Sequence, residues 1–254
     1  MLIVLSPAKS MNFDPHDQTS EYSLPMFQKE AAKVAGELRK LSPGQLGKLL
    51  NIGTKLTELN FKRYQEWKED GNGDKTKQAL LTFNGEVYNG LNAPDLSETD
   101  LDYAQEHLVI LSGLYGILRP LDLIQPYRLE MSTKIRSGNS KDLYQYWNDK
   151  ITSTVNESLK GHQQKILTNL ASAEYFKSID LKKIDGEVLD IAFKEKRGNS
   201  YRPVQIYLKK ARGMMAHYII KNRISEPEHV KGFDYEGYHF NESLSSGNDW
   251  VFTR

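Results

Sequence analysis

Apolar residues follow two rhythms along this chain, and the rhythms alternate. Leu2 to Leu5 and Leu108 to Leu111 are short unbroken apolar runs bounded by turn residues, the pattern of strands buried on both faces of a parallel sheet. Lys165-Ile166-Leu167-Thr168 reads the same way, and Glu187 to Lys194 alternates like a half-buried strand. Val204 to Leu208 can pair beside it antiparallel across the GNSYRP turn, and Asp249 to Arg254 reads as a final strand. Elsewhere the period is helical. Phe27, Ala31, Val34, Ala35 and Leu38 mark one helix; Leu56, Leu59, Phe61 and Tyr64 mark another, from Thr54 to about Trp67. Gln78 to Asn89, Leu101 to Leu108, Leu143 to Lys160 and Lys209 to Ile224 carry the same spacing. Ser42-Pro43-Gly44-Gln45 is a capping box with proline at the first helical position, and Ser97-Glu98-Thr99-Asp100 is a second cap.

These elements predict a single compact mixed α/β domain over residues 1–254, with a mixed sheet flanked by helices and a helical hairpin embedded at 42–67. There are no internal repeats. Residues 14–25 (DPHDQTSEYSLP) read as an irregular surface connection, and 68–77 (KEDGNGDKTK) as the best candidate for a boundary or mobile edge.

Composition narrows the chemistry. Lysine plus arginine and aspartate plus glutamate nearly cancel, leaving a formal charge of +1, so any nucleic-acid site must be a local patch rather than a basic whole. The absence of cysteine excludes disulfides, thiolate catalysis and cysteine-ligated zinc or iron–sulfur clusters. The six histidines show no spacing suited to a metal site, so no metal or other cofactor is expected. No apolar run approaches the ~18 residues of a membrane span, and Met1 to Leu5 leads straight into polar sequence, unlike a signal peptide. A cytoplasmic protein with no membrane partner is the expectation.

The densest chemistry follows the second apolar run, in Val109 to Met131 (VILSGLYGILRPLDLIQPYRLEM). Ser112, Tyr115, Arg119, Arg128 and Glu130 fall within 19 residues of one another, around Gly113 and Gly116. Glycine lets backbone approach a ligand, strand carboxyl ends are where open α/β sheets bind, and guanidinium grips phosphate or carboxylate bidentately. Ser6 and Lys9 leave the first strand, and Asn169, Ser172 and Glu174 leave a third. Lys209, Lys210 and Arg212 open a helix, where three cations oppose the dipole unless an anion sits nearby. A structural ion-pair network explains such clusters equally well until geometry is known.

Several stretches in this order carry a family resemblance. LSPAKSMNF, LNIGTKLTELNFKRYQEW, FNGEVYNGL, SGLYGILRPLDLIQPYRLEM, NLASAEYF, KKARGMMAHYII and WVFTR together resemble the YaaA family of bacterial peroxide-stress proteins, end to end. The resemblance implies a DNA-associated protein that limits peroxide- and iron-driven damage. Within it, LGKLLNIGTKLTEL is similar to the helix-hairpin-helix module, with Thr57 where that module usually has alanine and Asn51 where it usually has glycine. That similarity implies duplex-DNA contact without sequence reading through Lys48, Asn51, Ile52, Gly53, Thr54 and Lys55, extended by a basic cleft of Lys9, Arg119, Arg128, Lys209 and Arg212.

The residues leave a second mechanism open, an enzyme acting on a nucleobase, nucleotide or damaged nucleic acid. Ser6, Ser112, Tyr115, Arg119, Arg128, Glu130, Asn169 and Glu174 would converge on a small anionic or nucleotide ligand, with Glu130 or Glu174 as general base. The geometry separates the two. Arg119 facing Glu130 across a deep closed pocket favours the enzyme, whereas the cationic residues and Gly53 sharing one open groove favour the DNA binder.

Overall fold

The computed structural model describes residues 1–15, 18–71 and 75–254. The centres of the two irregular stretches anticipated at 14–25 and 68–77, His16–Asp17 and Asn72–Asp74, lie outside the described residues.

The chain begins with β1 (Leu2–Leu5), every residue of which is buried, followed by the two-residue β2 (Ser10–Met11). Three helices follow: α1 (Gln28–Arg39), α2 (Pro43–Leu50) and α3 (Thr54–Glu66). The capping box at Ser42 forms as its sequence dictates, with Gln45 answering the Ser42 backbone. Where one helix was expected over 78–89, the chain breaks into β3 (Lys77–Gln78), α4 (Ala79–Thr82), β4 (Phe83–Asn84) and α5 (Glu86–Leu91). The break falls at Phe83–Gly85, where the backbone is extended and β4 pairs with β2. A capping box at Ser97 then starts α6 (Glu98–His107), which runs directly into β5 (Leu108–Ser112).

After β5 the chain turns back antiparallel as β6 (Gly116–Leu118), and β7 (Leu123–Ile124) pairs with β3. Next come α7 (Leu143–Lys160), β8 (Ile166–Asn169), α8 (Ala173–Phe176), β9 (Glu187–Arg197) and β10 (Ser200–Arg202). The fold ends with α9 (Gln205–Lys221), β11 (His239–Phe240) and β12 (Asp249–Thr253).

The main sheet runs β11-β12-β9-β8-β1-β5-β6, with β10 folded back on β9. Its interior strands β12, β9, β8, β1 and β5 are parallel, and β11 and β6 add antiparallel edges, so the sheet is mixed. β1 sits between β8 and β5, with Leu2 opposite Leu167 and Ile3 opposite Leu108. Flanking helices cover the sheet, which is why both faces of β1 and β5 are apolar.

One expected strand is not there. Val204 to Leu208 begins α9 instead of pairing with β9, and β10, three residues long, takes the antiparallel place across Gly198. Val204 is the N-cap residue and its side chain cannot cap, so the helix start left no mark in the sequence. Lys209, Lys210 and Arg212 therefore stand in the second turn, not the first.

Two glycines let α5 and α9 cross at contact distance. A Cβ on Gly213 would lie 1.7 Å from the Val87 carbonyl oxygen, and one on Gly90 would lie 2.0 Å from that of Lys210. This crossing lays α5 against the second and third turns of α9, which matters for the cleft described next.

Candidate functional site

The parallel strands β1 and β8 end side by side, and the loops leaving them are tied together. Ser6 Oγ accepts the Ser172 N–H at 2.8 Å and donates to Ser172 Oγ at 3.2 Å, while the Tyr88 hydroxyl donates to the Ser6 carbonyl at 3.0 Å. A cleft of about 600 Å³ opens above these strand ends, the place where parallel sheets collect ligands. Tyr88, Tyr127 and Tyr175, all buried, form its floor. Burial raises the pKa of each hydroxyl well above the ordinary tyrosine value, so all three stay neutral donors.

The charged lining is mixed. Lys9, Arg128, Lys209 and Arg212 face Glu86, Glu130 and Glu174. Glu130 is held between two cations, 2.9 Å from Lys9 and 3.6 Å from Arg128. Glu174 accepts from both the backbone N–H and the hydroxyl of Ser132, at 3.1 and 2.7 Å. The side chains of Lys209 and Arg212 make no hydrogen bond or ion pair among the described residues. Burial, only partly offset by Asp190, lowers the Arg212 pKa.

A second depression, about 870 Å³, adjoins the first and shares Lys9, Arg128 and Glu130 with it. This open groove lies between α2 and the segment Ser132–Arg136. Gln45, Lys48 and Leu49 of α2 present one helical face to it, and Asn51 closes its end. Opposite, exposed Ser132, Lys134 and Arg136 alternate with buried Thr133, Ile135 and Ser137, the period of an extended chain. Five cations line the groove, Lys9, Lys48, Arg128, Lys134 and Arg136, against Glu37 and Glu130. Lys48, Lys134 and Arg136 have no ion-pair partner among the described residues.

The hairpin is fastened to this site. The buried Tyr64 of α3 donates its hydroxyl to the Arg128 carbonyl at 2.6 Å, fixing the arginine's backbone against the helix pair. Thr57 packs on Gly47, where a Cβ would come 2.4 Å from Thr57 Oγ1, so the two helices touch at a small residue. Asn51 takes the left-handed conformation (φ 51°) that ends α2. Gly53 is extended, with φ −72° and ψ 167°, and a Cβ there would meet nothing within 4 Å. It caps α3 without a side chain, leaving the N–H groups of the first turn uncovered at the hairpin tip.

The sequence candidates divide accordingly. Ser6, Lys9, Arg128, Glu130, Lys209 and Arg212 meet around the cleft. Of the hairpin candidates, Lys48 and Asn51 line the groove; exposed Gly53, Thr54 and Lys55 stand at the tip, and half-buried Ile52 packs on the core. Ser112 lies behind the cleft floor, bonded to the Tyr127 hydroxyl at 2.7 Å. Tyr115 is buried and its oxygen accepts from Trp67 Nε1–H and the Gln125 N–H, both at 3.1 Å, with burial pushing its pKa up to about 12. Arg119 is turned away, paired at 3.1 Å with the buried Asp122. Asn169 donates to Asp190 in a neighbouring recess that shares Arg212 with the cleft.

The two glycines around Tyr115 answer to the chain itself. A Cβ on Gly113 would meet the Leu129 carbonyl oxygen at 2.5 Å, and Gly116 (φ 72°) lies under the Trp147 ring. Lys134, Arg136, Glu86 and Gln205 went unread in the sequence; the alternation in MSTKIRS was the available signal for the first two.

The sequence pattern of the family described as peroxide stress protein YaaA matches residues 1–244. The chain belongs to that family. A UPF0246 protein of Burkholderia thailandensis is 46% identical over 256 aligned positions, covering 100% of this chain and 98% of the relative. UPF0246 proteins of Paraburkholderia phytofirmans and Burkholderia pseudomallei are 45% and 46% identical with the same coverage. The match therefore spans the hairpin, the groove and the cleft together. Among the described residues no helix is long and apolar enough to cross a membrane.

Proposed function

We propose that this member of the peroxide-stress family binds duplex DNA along the groove between α2 and Ser132–Arg136, without reading sequence, and thereby limits peroxide- and iron-driven damage to it. The observation that carries the reading is the gathering of Lys48, Lys134 and Arg136, none paired with a carboxylate, along one open groove beside Arg128 and Lys9. On a chain of nearly zero net charge, such a local concentration of unpaired cations makes a field that draws an anion to this one place. The uncapped first turn of α3 adds backbone N–H groups of the kind that receive phosphate. These contacts address the backbone, which positions a protein on DNA without specifying bases.

The alternative, a nucleotide-directed enzyme, finds less support. Arg119 does not face Glu130, and both Glu130 and Glu174 are engaged by neighbouring donors, leaving neither as a free general base.

Duplex binding by wild type, Lys48→Glu and Arg136→Glu tests the proposal. Each reversal is expected to weaken binding roughly tenfold, the worth of one charge-assisted hydrogen bond. Undiminished binding by both variants would sink the groove as the docking surface.

A further inference from the structure

The cleft at the strand ends is not needed to hold a duplex backbone, yet it is built for a ligand of its own. Its volume, about 600 Å³, falls in the range that accommodates a small ligand. The floor is aromatic, and one wall is cationic. Gln205, Lys209 and Arg212 are spaced four and three residues apart on α9, so they share one face, and that face looks into the cleft. Arg212 is half-buried, and Asp190, the carboxylate that acts on it, stays beyond ion-pair distance. A half-buried guanidinium that still reaches the cleft, with no carboxylate at contact distance, is suited to receive an anion. The narrow exposed edges of three tyrosines, each more than nine-tenths buried, and an anion site together suit a nucleotide.

The cleft does not stand alone. Lys9, Arg128 and Glu130 line both it and the groove, so a strand lying in the groove passes the cleft mouth. We infer that the cleft receives a single nucleotide turned out of a DNA strand held in the groove, its base against Tyr88, Tyr127 and Tyr175 and its phosphate against Lys209 and Arg212. This rests on the docking reading above and adds to it a preference for DNA that already contains an unpaired base. Extrusion is least costly where a base has lost its partner, which gives the preference its physical origin.

The experiment compares two duplexes of the same length, one fully paired and one with a single nucleotide opposite an abasic site. Wild type is expected to favour the second by about tenfold or more. The preference is expected to vanish in Arg212→Ala and in Lys209→Ala, whose side chain is at the surface and whose folding is safe, and to survive in Arg212→Lys. Equal affinity for the two duplexes, or a preference that both alanine variants keep, overturns the inference while leaving duplex docking in place. Failure to bind either duplex overturns the docking reading and this one with it. Free deoxyadenosine monophosphate is the third probe. If it binds more tightly than the unpaired duplex, the pocket serves a free nucleotide and the strand as its source is wrong.

Discussion

Arg128 is the residue on which the site turns. Its carbonyl is held by Tyr64, its guanidinium lies 3.6 Å from Glu130, and its Nε is buried without a hydrogen-bond partner among the described residues. Its sequence neighbour Arg119 had equal standing until the structure separated them. The signal that sets Arg119 apart was Asp122 three residues later, which folds back on it in a tight turn and takes it out of the cleft. Types and spacing name candidate anion receivers; only the turn geometry says which way each points.

A residue far from the site makes a separate prediction. His162 Nε2 is buried without a partner, next to His107 at 4.5 Å between ring centroids and near the Met1 amine. Burial, then repulsion by that amine and by His107, lowers the His162 pKa from 6.5 to about 4. His107 is also lowered, by burial first, although its bond to the Met1 carbonyl and the charge of Glu106 work the other way. Between about 6.5 and about 4 the unfolded chain therefore binds more protons than the folded one. Stability is full above that window and falls as pH drops through it. Melting temperatures taken across the window should decline for wild type and decline less for His162→Gln; equal declines would contradict this assignment.

Among the elements, the hairpin is the one most exposed to a test of packing. Gly47→Ala would drive a Cβ to 2.4 Å from Thr57 Oγ1, and overpacking of this kind costs about 1–3 kcal/mol. Adding Thr57→Ala removes the obstructing atoms, so the double variant is expected to regain most of the lost melting temperature. No recovery would mean that the helices are not held at this contact. Gly53→Ala, by contrast, meets open space in an ordinary conformation and should leave stability nearly unchanged.

How far the elements were legible follows from where their signals lie. β1, the Ser42 and Ser97 caps and the Asn51–Gly53 turn were all readable, because each carries its own local instruction. The start of α9 at Gln205 and the break at Phe83–Gly85 carry none: Val204 favours a strand locally, and the break is imposed by pairing of β4 with β2. The groove joins α2 to a segment more than eighty positions later, and nothing in either stretch announces the other. Its far wall was readable only as the alternation at Ser132, Lys134 and Arg136, which passes for a polar linker until the buried partners are seen.

At the scale of the whole molecule, a charge of +1 argues against generic adhesion to DNA, and the proposed docking along the groove would confine attraction to one side. Protection should then depend on that side alone. With supercoiled plasmid exposed to ferrous iron and peroxide, wild type at saturating amounts is expected to slow nicking, and Lys48→Glu combined with Arg136→Glu to lose the effect. Equal protection by both would place the activity outside the groove.

The most direct measurement is the salt dependence of duplex affinity. Three unpaired groove cations, or five if Lys9 and Arg128 let go of Glu130, would each release a counterion. The slope of log affinity against log salt should lie between about −2.7 and about −4.5 for wild type, and Lys48→Glu should make it shallower by about 1. A slope near zero, or no binding at low salt, would contradict the account.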